Sequence, residues 1–242
     1  FSTLEAKGLT KVQAKTIKQY IKDIFIDHAC FVVYEEYLLG PISLMTSYLL
    51  AQKNHSKNIT YTRIIDLSID EKCLRSNIRK SYLSLINWGT KNLNISVHYL
   101  DSCEWDHIER FRQLHKKVAG RQTRSLETWK RQYEAIRAGH AFCVTGEQDN
   151  KLITAGFFGL GFNHCFYGVS ASDRALFDKP LFHALMWRAM QFAKTKNANY
   201  FETGFAYIDP ESIALREDKE IKIALFKSGF GGDLYLKLEI NM

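Results

Sequence analysis

Apolar residues recur at two spacings along the chain, helical in the first half and at both ends of the second, strand-like between. From Leu9 to Phe25, Val12, Ala14, Ile17, Tyr20, Ile21 and Ile24 return at helical intervals between lysines, which predicts an amphipathic helix. CFVVYEE then reads as a strand, Met45 to Gln52 as a second helix, and YTRIIDLS as a strand running into a cap. Ser68 and Glu71 have the S-x-x-E spacing of a capping box, so a long helix is expected to start there and reach Trp88. Its apolar stripe is Leu74, Ile78, Tyr82 and Leu85, with Lys72, Arg75, Arg79 and Lys80 elsewhere on its surface.

ISVHYL predicts the next strand, and helices near Asp106 to Val118 and Leu126 to Ala138 follow, joined by the loop AGRQTRS. From His140 the texture changes to AFCVTGE, KLITAGFFGLGF and HCFYGVSAS, separated by EQDNK and GFN, which predicts an antiparallel meander. Pro180 suits a first helical position, and Leu181, Leu185, Ala189, Phe192 and Ala193 continue at helical spacing to Asn197, which can take a left-handed cap. YFETG is the next strand, Lys219 to Lys227 a short helix, and LYLKLEI the last strand after the glycine-rich SGFGGD. This order defines an α+β fold with a central mixed, mainly antiparallel sheet flanked by helices.

Composition changes the picture in three respects. With 46% hydrophobic residues, the 242-residue chain can bury one or two cores. The longest apolar stretch, Tyr37 to Ala51, is shorter than the roughly 20 residues of a spanning helix and carries Gly40 and Pro41, so no transmembrane segment is expected. Five widely spaced cysteines without a C-x-x-C pair fit neither a disulfide framework nor a zinc site, and a cytoplasmic location, including the inner membrane face, is expected. The opening FSTLEAKGLT lacks signal-peptide features, and its start at Phe1 suggests a processed or trimmed chain.

The formal charge of +7 favours anionic partners such as phosphates, nucleic acid or acidic lipid. No histidine pair or carboxylate stands at metal-ligand spacing, and a G-K-[ST] phosphate loop is missing, so no metal is expected. His164 and Cys165 are neighbours in a strand and point to opposite faces, which rules out a dyad and leaves both as packing residues.

Three stretches carry a family resemblance: TRIIDLSIDEKCLRSNIRKS at Thr62 to Ser81, SASDRALFDKPLFHALMWRAMQFAKTKNANYFETG at Ser170 to Gly204, and FKSGFGG at Phe226 to Gly232. Together they resemble the FemAB-like branch of the GNAT acyltransferases, the last stretch most specifically. The resemblance implies two GNAT-like units in tandem, here a reduced one over residues 1–98 and a C-terminal catalytic one over 99–242. It also implies transfer of an acyl or aminoacyl group from acyl-CoA or aminoacyl-tRNA to an amine of a cell-envelope precursor or amino sugar. The acceptor would be a small molecule or linked to a lipid or nucleotide, tRNA would be a partner if it is the carrier, and no cofactor or metal would be held permanently.

By the same resemblance Lys227, the lysine of the FK motif, lies at the transfer centre, and the donor's acyl end lies in the opening between CFYGVSAS and YFETG. Glu202, which strand alternation puts on one face with Tyr200, could accept the amine proton, and Tyr167 on the preceding strand is a second proton-shuttle candidate. Arg121 and Arg124 in AGRQTRS could fork a phosphate or carboxylate of the acceptor. RALFDKPLFH stands where acetyl-CoA enzymes of this fold carry a glycine-rich phosphate loop, so Arg174 and Lys179 would have to hold a CoA pyrophosphate. Phe226, Gly229 and Gly231 complete the substrate-binding set, the glycines giving a tight backbone path first and ligand approach second. The alternative reading is a noncatalytic GNAT-shaped module that binds an anionic partner, RNA or a glycan phosphate.

Overall fold

The computed structural model describes residues 33–37, 42–51, 56–206 and 218–241, with Lys15, Thr16 and Gln19. Apart from those three, the helix expected over Leu9 to Phe25 lies outside the described residues. The chain divides into two compact units. The smaller takes Phe1–Thr62, Phe205–Ile208 and Leu234–Met242, and the larger takes Arg63–Gly204 and Asp209–Asp233.

In the smaller unit, β1 (Val33–Tyr37) pairs antiparallel with β8 (Asp233–Asn241), Tyr37 opposite Lys237. The first part of β2 (Ser56–Asp66) follows β8 in the strand order. Lys237 is buried, and its ammonium lies 3.2 Å from Glu35 and 3.4 Å from Glu239, the pairing that a buried charge requires. At the start of α1 (Leu44–Leu50), the backbone N–H and hydroxyl of Ser43 both donate to the Glu36 carboxylate.

In the larger unit the strands run in the order end of β2, β7 (Tyr200–Phe205), β6 (His164–Ser172), β5 (Lys151–Leu160), β4 (Ala141–Gln148), β3 (Asn94–His98). β4 to β6 form the expected antiparallel meander, β3 pairs antiparallel with β4, and β6 to β7 is parallel, so the sheet is mixed and mainly antiparallel. Helices α2 (Glu71–Ser76), α3 (Lys80–Asn92) and α6 (His183–Thr195) supply one core with Phe142, Phe158 and Phe201. Helices α4 (Trp105–Ala119) and α5 (Leu126–Arg137) supply a second with Cys143, Ala155 and Val169. Cover on both faces explains why β4 and β5 read as nearly continuous apolar runs. Residues 63–98 contribute Ile65, Leu74, Ile86 and Leu93 to the first core. Helix α7 (Asp218–Ser228) leads to the final strand.

Three local expectations change. The cap of the helix after β2 is Asp70, whose carboxylate accepts from the Cys73 N–H at 2.9 Å, whereas Ser68 turns back to donate to Asp66. The long helix expected to Trp88 breaks at Asn77–Arg79, where the Arg79 N–H leaves the helical ladder and donates to the Gly229 carbonyl at 2.9 Å. Helix α6 begins at His183 rather than at Pro180, because a 3-10 turn over Arg174–Leu176 and the bond from the Leu181 N–H to the Lys179 carbonyl occupy the preceding segment. Asn197 adopts the left-handed conformation its position suggested, with φ 61°.

Candidate active site

The site begins with a short ladder. His164, Cys165 and Phe166 pair in parallel with Tyr200, Phe201 and Glu202, and among the described residues the pairing ends there although β6 continues to Ser172. Among the described residues no β6–β7 pair follows Phe166 and Glu202, so the backbone beyond them leaves this ladder, and the ladder's end forms a wedge. A bulge on the other side of β6 adjusts what faces this wedge. Phe157 lies opposite Val169 and Phe158 opposite Tyr167, so Gly168 is the extra residue. Cys165 and Tyr167 therefore face the first core, while Val169 and Ala171 face the second.

Lys227 reaches the wedge from the last turn of α7. Its ammonium lies 5.0 Å from the centre of the Tyr167 ring. Gly204, at φ 93°, leaves the room: a Cβ there would stand 3.0 Å from the Lys227 Nζ. Burial pulls the ammonium down to about 8, and the Glu202 carboxylate works in the opposite direction. Glu202 is itself only 2% exposed, and its Oε2 lies 3.3 Å from the Nε2 of His164. The Tyr167 hydroxyl is hydrogen-bonded to the Ser170 hydroxyl, yet burial still pushes the phenol up to about 12. At neutral pH Tyr167 is therefore a proton donor rather than a base. Of the three residues read as catalytic, Lys227 lies over the Tyr167 ring, and Glu202, which the register places on the opposite face of the ladder beside His164, acts on Lys227 through its charge.

The rest of the FKSGFGG motif holds α7 in place. Phe226 packs edge-on against Phe230 at 5.3 Å and against His183 at 5.1 Å, so its ring is taken up by the core. Gly229 is required by close approach, because a Cβ there would come within 2.1 Å of the Tyr82 ring, whose hydroxyl donates to the Phe226 carbonyl at 3.2 Å. Gly231, at φ 88°, lies against the Asn77 carbonyl. These residues act on Lys227 through its helix.

The remaining sequence candidates are spread around the unit. Arg121 is exposed on the α4–α5 loop, and Arg124 on the same loop places Nη1 3.3 Å from the Nε2 of His115. Burial lowers the His115 imidazole, and the charges of Arg124 and Lys219 lower it further, so this corner carries positive potential. Arg174 is exposed in the 3-10 turn after β6, and Lys179 is half-buried before α6. Beside them Asp173, buried, accepts from the Lys117 ammonium at 2.8 Å. Asp173 and Lys117 also line an open groove of about 420 Å³ with Glu109, Arg110, Gln113 and Lys151. Among the described residues no His, Cys, Asp and Glu cluster could hold a metal ion, and no helix is long and apolar enough to cross a membrane.

His164 corrects the sequence reading. Opposite-face alternation was right in separating it from Cys165, but His164 is more than a packing residue, because the parallel register puts its Nε2 3.3 Å from the Glu202 carboxylate. Only that register could have revealed the pair.

No protein-family model matches the chain, and no curated protein matches it in sequence. Solved structures do share its fold. The C-terminal domain (DUF2156) of a putative lysylphosphatidylglycerol synthetase from Agrobacterium fabrum matches with a TM-score of 0.63 at 13% identity, over 94% of this chain and 72% of that one. FemX matches with a TM-score of 0.61 at 13% identity, over 74% of this chain and 61% of its own. L-PGS from Bacillus licheniformis matches with a TM-score of 0.53 at 11% identity, over 77% and 62%. The matched region is thus about three fifths of FemX and of L-PGS. At these identities the likeness shows the fold.

Proposed function

We propose that the chain is an N-acyltransferase whose transfer centre is the wedge between β6 and β7. The observation that carries this reading is a buried ammonium, Lys227, held over the Tyr167 ring beside the end of the β6–β7 ladder and under the charge of Glu202. A module that only held an anion at its surface would gain nothing from a desolvated lysine, which costs stability.

The donor carbonyl enters the wedge, where backbone N–H groups freed from the ladder and the Lys227 ammonium stabilise the oxyanion that forms. The acceptor amine attacks, its nitrogen forms the new C–N bond, and its proton passes to Glu202. Collapse of the tetrahedral species breaks the bond to the carrier, the departing sulfur or oxygen takes a proton from water, and Lys227 keeps its ammonium throughout. Holding both reactants in one cleft supplies much of the acceleration.

The donor in this reading is an acyl-CoA or an aminoacyl-tRNA, bound on the side of Arg174 and Lys179. The acceptor is an amine of a cell-envelope precursor or amino sugar whose anionic group meets Arg124 and Arg121. Thermal-shift measurements with acyl-CoAs, aminoacyl-tRNA and nucleotide-linked amino sugars test it, since a ligand that binds only the folded state raises its stability. A shift with one donor class and one acceptor is expected. No shift with any of them would contradict the reading.

A further inference from the structure

Glu202 faces a problem that the transfer reaction creates. Its carboxylate is 3% exposed, so a proton taken from the acceptor amine has no direct way to water, and the protonated carboxyl could not serve a second turnover. The neighbouring group that does reach solvent is His164. Its side chain is 22% exposed, and its Nε2 lies 3.3 Å from the Glu202 Oε2. On the same face of the two strands, Phe166 and Tyr200 are themselves exposed, so water reaches the surface around the imidazole.

We propose that His164 is the proton exit of the transfer centre, carrying to solvent the proton that Glu202 collects. The inference rests on the acyl-transfer reading above. The relay uses the imidazole tautomer that carries its hydrogen on Nδ1 and turns Nε2 toward Glu202. The proton on the Glu202 carboxyl passes to Nε2, the Nδ1 proton leaves to water, and a change of tautomer restores the starting form. No oxidant, reductant or further reactant enters, and the carboxylate is regenerated once per amide formed.

Two further features fit this arrangement. The Lys227 ammonium and the Glu202 carboxylate attract each other through their charges, which favours the carboxylate over the protonated acid and so drives the proton outward. Glu202 is held by register as well as by contact, since its pairing with Phe166 is the last rung of the ladder and fixes it two residues along from the partner of His164.

The test uses the full chain with a donor and an amine acceptor that support turnover, comparing wild type, His164→Ala and His164→Gln. The relay predicts that kcat falls roughly 10- to 100-fold in both variants, on the scale of general acid–base catalysis, while both KM values change less than about twofold. Added imidazole should restore kcat in His164→Ala, whose cavity admits it, and should not do so in His164→Gln. Full kcat in either folded variant would overturn the relay, as would an equal loss in both without imidazole rescue, which marks a structural role.

A second readout needs no turnover. At one fixed pH, the Nε2 resonance of His164 in a nitrogen-15 spectrum should move when Glu202 becomes Gln, and an unmoved resonance would overturn the relay even in an active enzyme. A wild type that transfers nothing brings down the acyltransferase reading and the relay together. A wild type that transfers, with unaffected His164 variants, brings down the relay alone.

Discussion

The Lys227 ammonium sits 5.0 Å from the centre of the Tyr167 ring, with the Glu202 carboxylate as the opposing influence on its charge. A cation over an aromatic face recovers part of its lost hydration, but burial still dominates here and lowers the group from its usual 10.5 to about 8. The unfolded chain therefore binds this proton more tightly than the folded one. Wild-type stability should be flat in this contribution below about pH 8 and rise as pH goes from about 8 to about 10.5.

Replacing Lys227 with Met removes that burden. The substitution should stabilise the fold by about 1–3 kcal/mol at pH 7, the order set by the drop from 10.5 to about 8 at about 1.4 kcal/mol per pH unit, less the attraction that Glu202 loses. The alkaline rise in stability should disappear with it. Urea denaturation at pH 7 and near pH 10 checks both points, and a less stable Lys227→Met at neutral pH would mean that the ammonium is a structural ion-pair partner.

The same lysine should set the alkaline limb of the transfer reaction. Its protonated form stabilises the oxyanion, so kcat should fall as pH rises through about 8. Glu202 holds the ammonium up, and in Glu202→Gln the limb of the residual activity should move to lower pH. An unmoved limb in that variant would assign the titration to another group.

Gly229→Ala tests the packing that aims α7. The new methyl would meet the Tyr82 ring at 2.1 Å, a distance no side-chain rotation at Ala can relieve. A loss of about 1–3 kcal/mol is expected, as for other overpacked cores. Combining it with Tyr82→Leu should cost less than the sum of the two single changes, because the shared clash is removed once. Strict additivity in thermal or chemical denaturation would show that the ring moves aside freely.

Arg121 and Arg124 differ in setting, and their variants should differ too. Arg124 is anchored on His115 whereas Arg121 is exposed, so Arg124→Gln should raise the acceptor KM more than Arg121→Gln does. The donor KM should stay nearly constant in both. Arg124→Lys, which keeps the charge but loses the planar fork, should fall between wild type and Gln. Equal effects on the two substrates would remove the loop from acceptor recognition.

Much of this was readable from short-range pattern, and the exceptions share one cause. The β4–β6 meander, α7 and the left-handed Asn197 followed from period and turn residues, since both are local. Lys227, Glu202 and Tyr167 were reached as candidates through a motif and two neighbouring strands. The break at Asn77–Arg79 could not, because its hydrogen-bond partner, Gly229, comes from the other end of the chain. The bulge at Gly168 and the contact between His164 and Glu202 were equally hidden, since both depend on which residues face each other across strands.

The most direct test of the account is transfer itself, measured on wild type and Lys227→Ala with acyl-CoA and aminoacyl-tRNA donors and an amine acceptor. Wild type should form the amide, and Lys227→Ala, with an unchanged circular dichroism spectrum, should be slower by about 100-fold or more, the scale of losing an oxyanion partner. A folded Lys227→Ala that transfers at the wild-type rate would contradict the account and leave FKSGFGG as a motif that only closes the fold.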